Sequence, residues 1–311
     1  AYGDLTGVNK WVWILSHIFT DQKFMTIFSL LFGAGIVLFT TRAEAKGRSA
    51  LALHYRRTLW LLVIGLAHAY LLWHGDILTH YALCALVVVL FRKWSPRVLL
   101  VMGIVVISVV SLLYFFSAFS LPYMPPDNYK EMQQTWQPNP AVIEHELATY
   151  QSGWLEQMSL RVPTSFRYQT FIFLTFFLWR AGGLMLVGMA LFKWGVLTAE
   201  RSRRFYSTLM IVGFGLGLPV VTYGVIRNFA ANWSMDYSWF IGSQFNYWGS
   251  LLVSLGYIGL IMLLSKLPKL TPITRVFGAV GRMALTNYLL QTIICTTIFY
   301  VHGLGLFGQV E

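Results

Sequence analysis

An all-α, multi-pass transmembrane bundle is the fold this sequence predicts, and three observations predict it. Of 311 residues, 57% are hydrophobic and 11% charged, with a mean hydropathy of +0.61. A soluble domain carries about 25% charged residues, so this chain has to turn much of its surface toward lipid. Apolar runs of roughly 20 residues recur, each able to cross ~30 Å of hydrocarbon at 1.5 Å per residue. The basic residues that give the net charge of +11 sit in short clusters between those runs. That placement is the one membrane topology dictates, and no nucleic-acid partner is expected.

Eight spans are read in order: 24–41, 59–73, 77–91, 98–119, 170–192, 205–226, 243–264 and 277–300. The second and third are short and joined only by His74, Gly75 and Asp76, which predicts a tight helical hairpin. Lys and Arg counts in short loops orient a bundle. One set of loops (42–57, 92–97, 193–204 and 266–275) holds fifteen and the opposite set six, so the first set is expected to be cytoplasmic. The whole chain, 1–311, reads as one transmembrane domain embedded in the lipid bilayer, with its oligomeric state open.

The one long loop, 120–167, is expected outside. Pro122, Pro125, Pro126, Pro138 and Pro140 predict an irregular first part. Asn139-Pro140 then reads as an N-cap and first helical position. Ile143, Leu147, Tyr150, Trp154 and Met158 follow at helical spacing, predicting an amphipathic helix over about 140–158. It is either an interfacial helix or a lid over an outward-opening site. Cys84 and Cys295 fall in apolar runs and read as two buried free thiols. No signal peptide, internal repeat or low-complexity segment is read.

Ionisable groups at membrane depth mark candidate chemistry. The hairpin GLAHAYLLWHGDILTHYAL concentrates His68, His74, Asp76, His80 and Tyr81. Asp76 and His80 are four apart, so on a helix the carboxylate can orient that imidazole. Such a set suits general-base catalysis on a hydroxyl or amine, or proton relay in a transporter. Asp76 can equally cap the third span. Metal binding by His74, Asp76 and His80 is not expected, because two of them lie at the membrane surface without a further ligand.

Arg180, near the middle of the fifth span, calls for a carboxylate such as Asp76 or Asp21, or an anionic ligand. The neighbouring Gly182-Gly183 pair allows close helix approach. In the eighth span Asn287 and Gln291 share a face, for interhelical hydrogen bonds or a substrate. Arg56 and Arg57 at the inner end of the second span satisfy the positive-inside rule and could also hold a donor's phosphates.

Four stretches together carry a resemblance: KFMTIFSLLFGAGIVL (23–38), the Arg56-Arg57 pair with GLAHAYLLWHGDILTHYAL (56–83), ELATYQSGWLEQMSLR (146–161) and GRMALTNYLLQT (281–292). The chain resembles the DUF418 (YeiB-like) family of bacterial membrane proteins over most of its length. The resemblance implies a bundle of about ten spans in the bacterial inner (plasma) membrane. The family's usual opening helix, before Ala1, and final helix, after Glu311, are not part of this sequence. The family is in turn distantly similar to transmembrane acyltransferases such as heparan-alpha-glucosaminide N-acetyltransferase. That similarity implies an acyl group moved from cytoplasmic acyl-CoA to an acceptor, an envelope or lipid-linked sugar, on the far side. The catalytic His of that enzyme lies between its first two helices, a region that here contains His17.

Three functions stay open on the sequence. An acyltransferase would use His68 or His17 as base, Asp76 to orient it and Arg57 for CoA phosphate, along a path past Arg180. A proton-coupled transporter or exporter of a small or lipidic molecule would use the same groups as a relay. A non-catalytic membrane scaffold would use them for packing.

Overall fold

The computed structural model describes residues 6–309, and among these there is helix and turn but no strand. In chain order the helices are α1 (Gly7–Phe19), α2 (Lys23–Ala45), α3 (Ala50–Ala67), α4 (Leu78–Val88), α5 (Pro96–Ser120), α6 (Pro126–Trp136) and α7 (Pro140–Tyr150). They continue with α8 (Met158–Arg167), α9 (Leu178–Lys193), α10 (Arg203–Ala230), the single turn α11 (Met235–Tyr237), α12 (Ser243–Ser265), α13 (Thr271–Arg282) and α14 (Ala284–Phe299). Three π-helical stretches extend them: His68–Leu72 closes α3, Tyr168–Phe177 joins α8 to α9, and Ser238–Gly242 leads into α12.

Five stretches are long and apolar enough to cross a membrane: Gly7–Ala45, Pro96–Tyr123, Met158–Lys193, Arg203–Ala230 and Met235–Ser265. Leu78–Phe91 and Ala284–Phe299 are shorter apolar helices. The chain is therefore an integral membrane protein. Each of the eight apolar runs lies on helix over nearly its full length, and the helices differ from the sequence reading at three places.

Residues 7–19, not read as a helix from the sequence, form α1, which is separated from α2 by a break where Gln22 adopts φ 62°. The expected helix over 140–158 ends at Tyr150. Gln157 turns its side-chain amide back to the Tyr150 and Ser152 carbonyls at 3.1 and 3.3 Å, and so satisfies groups that a continuing helix would have used. The run 277–300 is divided at Met283, so its first quarter belongs to the separate helix α13.

Prolines bound helices here instead of dissolving them. α6 starts at Pro126 in the stretch expected to be irregular, because proline at the first helical position gives up only an N–H that would be unpaired anyway. The Asn139-Pro140 start of α7 follows the same rule, with the Asn139 side chain accepting from Val142 N–H at 3.0 Å.

α9 is the central helix. Its Arg180–Gly183 turn and most of the following residues are buried, because α2, α4 and α5 surround it. Two small-residue contacts make that possible. A Cβ on Gly33 would fall 2.0 Å from the Met185 carbonyl, and one on Gly188 would fall 2.0 Å from the Leu30 carbonyl. The two backbones therefore touch, each through the other's glycine. Tyr81, Cys84, Val88, Met185 and Met189 form one apolar core between α4 and α9, and Leu30, Ile107, Leu184 and Tyr247 form another. Cys84 is buried as expected; Cys295 is exposed, because its face of α14 has no neighbouring helix.

Candidate functional site

The hairpin residues come together, but with a different pairing from the one that helical spacing suggested. His68 opens the π-helical turn at the end of α3, and Asp76 lies just before α4. His68 Nδ1 lies 3.0 Å from Asp76 Oδ1, with both side chains 1% exposed. The two atoms are close but not aligned for a hydrogen bond. On the other side of the ring, His68 Nε2 is 3.0 Å from Thr292 Oγ1 on α14. Asp76 Oδ2 accepts from the Thr79 N–H at 2.8 Å, so the same carboxylate also caps α4. Tyr288 reaches Asp76 Oδ1 at 3.4 Å, accepts from Ile77 N–H at 3.2 Å and lies 5.0 Å, ring to ring, from His68. Thr292, His68 and Asp76 thus form a buried hydroxyl–imidazole–carboxylate line.

His80 is not the partner of the Asp76 carboxylate. Its Nδ1 and Nε2 each lie 3.0 Å from a backbone carbonyl, of Asp76 and Tyr168 respectively, and its ring packs 4.3 Å from that of Phe177. It ties α4 to the long helix of α8 and α9, and both nitrogens are occupied.

A cavity of about 1000 Å³ lies between α2, α3, α4 and α14. Phe28, Phe32, Ile64 and Leu285 give it a largely apolar wall. Arg57, His54 and Thr58 line one end, and Ile77, Tyr81, Tyr288 and Gln291 line the end next to Asp76. The cavity therefore runs from the Arg57 level of α3 to Ile77 and Tyr288, which touch Asp76, while His68, Asp76 and Thr292 lie behind that wall and do not line it. Eleven residues separate Arg57 from His68, or about 16 Å along the helix. Arg57 packs over Phe39 with its guanidinium carbon 4.1 Å from the ring centre. Arg56 faces away, into a shallow depression with Arg48. Gln291 lines the cavity, whereas Asn287 reaches back to the Val280 carbonyl at 3.1 Å and braces the joint between α13 and α14. Tyr81 donates to or accepts from Ser29 Oγ at 2.6 Å at the cavity wall.

Arg180 does not line the cavity and meets no carboxylate, contrary to the partners its sequence position suggested. It is fully buried, donates to Tyr247 O at 2.8 Å and Ser250 Oγ at 2.7 Å, and lies 4.1 Å from the centre of the Tyr247 ring. A path from Arg57 to His68 does not run past it. One turn further along α2 is a second polar cluster. Lys23, fully buried, donates to His17 O and Asn246 Oδ1, each at 2.6 Å. Asp21 Oδ2 lies 3.0 Å from His17 Nδ1 and accepts from Asn246 Nδ2 at 2.9 Å. His17 therefore belongs with Asp21 and Lys23 and not with the cavity.

His74 is also apart from the cavity, in the turn after α3. Its Nδ1 is 3.3 Å from Tyr150 OH, and burial, then the charge of Arg161, hold its pKa below the ordinary value. Arg161 itself, 1% exposed, donates to Leu71 O and Gln157 Oε1 and so anchors α8 to the hairpin. Thr292, Tyr288 and His54 were not singled out from the sequence. The signal for the first two was the polar spacing of the GRMALTNYLLQT stretch, in which Tyr288 and Thr292 are four apart on one face.

Comparison with known proteins places this architecture. The family model described as "Protein of unknown function (DUF418)" matches residues 191–311. The chain is 33% identical over 304 residues to YxaH of Bacillus subtilis, covering 94% of this chain and 70% of that protein. The chain belongs to the DUF418 family. It is also 30% identical over 320 residues to YeiB of Escherichia coli, covering all of this chain and 77% of that protein. A 39.9 kDa protein encoded in the amylase 3' region of Bacillus acidopullulyticus is 27% identical over 277 residues. No solved structure matches. In this DUF418 chain the family match begins inside α9 and takes in α14, so it includes Tyr288 and Thr292 but not His68 or Asp76.

Proposed function

We propose that this protein transfers an acyl group from cytoplasmic acyl-CoA to a hydroxyl- or amine-bearing acceptor, an envelope or lipid-linked sugar, at the outer face of the bacterial inner membrane. The observation that carries the reading is the Thr292–His68–Asp76 line behind the Tyr288 and Ile77 end of a cavity whose other end is lined by Arg57. The topology assumed is eight spans, with the basic loops 42–57, 92–97, 193–204 and 266–275 in the cytoplasm and α6 and α7 outside. The Lys and Arg asymmetry supports that orientation.

Arg57 holds a phosphate of the donor, and the arm carrying the thioester lies along the cavity. The acceptor hydroxyl takes the place of the Thr292 hydroxyl at His68 Nε2. Nε2 removes its proton as the acceptor oxygen bonds to the thioester carbonyl carbon. The C–S bond then breaks, and the departing thiolate receives that proton from Nε2. Asp76 stabilises the imidazolium that exists between those two events, and Tyr288 and Gln291 supply donors at the same end. Acetyl-CoA binding to full-length protein in nanodiscs, measured by calorimetry, tests the reading. Saturable binding in the micromolar range, weakened about tenfold or more by Arg57→Ala, is expected. A folded protein that binds no acyl-CoA would overturn it and favour proton-coupled transport through the same cavity.

A further inference from the structure

α13 is the helix that the rest of the described structure leaves uncovered. It packs mainly on the turn before it and on α14, and every one of its residues is exposed. Its sequence is nevertheless sharply two-faced. Ile273, Val276, Phe277 and Val280 recur at helical spacing and are 53%, 64%, 71% and 53% exposed. At about 100° per residue they fill one sector of roughly 100°, and Arg275 and Arg282 lie almost opposite its centre. Between Lys266 and Arg282 there are four basic residues and no acidic one. Among the described residues, Lys269, Arg275 and Arg282 have no ion pair or hydrogen-bond partner for their charges.

The position of the helix in the molecule adds to this. Lys266 donates to Arg201 O at 2.5 Å, and Arg203 donates to Lys266 O at 3.3 Å, so α13 leaves from the end of the bundle where the basic turn before α10 also sits. Asn287 then braces its last turn against α14 through the Val280 carbonyl. The result is a helix held at the end of the bundle, apolar on one face and cationic on the other.

We propose that α13 lies in the membrane interface and binds anionic phospholipid headgroups. Its Ile273–Val276–Phe277–Val280 face enters the acyl region, and Lys269, Arg275 and Arg282 pair with lipid phosphates. Amphipathic helices with this division of charge bind membranes through both contributions, and each cation near an anionic surface adds roughly a fivefold preference. An anionic lipid surface supplies an acyl region for the apolar face and phosphates for the cations at once.

The experiment is backbone hydrogen exchange of residues 271–282 in full-length protein, in nanodiscs of phosphatidylcholine alone or of phosphatidylcholine with phosphatidylglycerol. Exchange is expected to slow on the order of a hundredfold in the anionic discs, since Lys269, Arg275 and Arg282 each contribute about fivefold. High salt should reverse most of that protection in the unmodified protein, and the double variant Arg275→Gln/Arg282→Gln should reduce it to the roughly fivefold share of Lys269. The salt arm decides the matter even if the double variant folds poorly. Equal exchange in the two kinds of disc would overturn the proposal: equally fast exchange means that nothing covers α13, and equally slow, salt-insensitive exchange means that another part of the protein does.

Discussion

Two buried polar clusters lie at membrane depth in this chain, and their surroundings separate them. Around Lys23 and Arg180, between α1, α2, α9 and α12, two cations are fully buried and aimed at backbone carbonyls, Asn246 and Ser250. Neither lines the cavity between α2, α3, α4 and α14. Around His68 and Asp76, between α3, α4 and α14, a carboxylate and an imidazole share a contact of 3.0 Å beside a cavity of about 1000 Å³. A charge inside a membrane protein is costly in either place. In the first cluster its hydrogen bonds hold helices together, whereas in the second His68 Nε2 lies 3.0 Å from the Thr292 hydroxyl, behind the cavity end that Tyr288 lines. The lesson is that a buried charge marks a site when something can reach it.

Asp76→Asn should have the largest effect on that contrast. The amide keeps an oxygen for the Thr79 N–H but no longer stabilises an imidazolium, so acyl-transfer rate should fall about 10²–10⁴-fold with the melting temperature near wild type. If the variant unfolds instead, capping of α4 is the main role of Asp76 and the two clusters are alike. Arg180→Ala should do the reverse. Loss of its hydrogen bonds and packing should cost about 3 kcal/mol of stability, while a folded fraction keeps its turnover per molecule. A large drop in turnover at unchanged stability would put Arg180 on the substrate path after all.

Gly35→Leu tests the cavity itself. Gly35 lines it on the same face of α2 as Phe28 and Phe32, and a Cβ there would meet nothing within 4 Å. Leucine should raise helix stability by up to about 1 kcal/mol and lower acyl transfer about tenfold or more by filling the path. Activity unchanged in that variant would show that the cavity is not used. The smallest effect is expected at His74. Its pKa is depressed in the fold, so the neutral form is favoured, and its contribution to stability is present above the ordinary value of about 6.5 and lost as pH falls below it. The acid-side loss of melting temperature should therefore be slightly smaller in His74→Gln than in wild type.

Much of this was legible in the residues before any coordinates. Composition set the class, the apolar runs placed the long helices, and the hairpin drew attention to His68 and Asp76. The pairing within the hairpin was not legible. Four-residue spacing pointed from Asp76 to His80, but α4 begins only at Leu78, so Asp76 stands outside the helix that the rule assumes. The π-helical turn after Ala67 brings His68 to it instead. Thr292 and Tyr288 come from more than 200 residues away, a distance over which periodicity carries no information. Lys23 looked like a loop residue because its charge was counted for topology, whereas Asn246 and the His17 carbonyl receive it inside. The membership of the DUF418 family, by contrast, was readable from four motifs.

The reciprocal contact of Gly33 and Gly188 has a mechanical meaning. With each backbone seated in the notch of the other, α2 and α9 behave as a single stator: neither can slide or roll without driving a carbonyl into a chain. α14 has no such lock, and it is joined to α13 at the Met283 break. The wall that carries Phe28, Phe32 and Gly35 is therefore keyed to the central helix, whereas the facing wall on α14, with Tyr288 and Gln291, meets the bundle through no such notch.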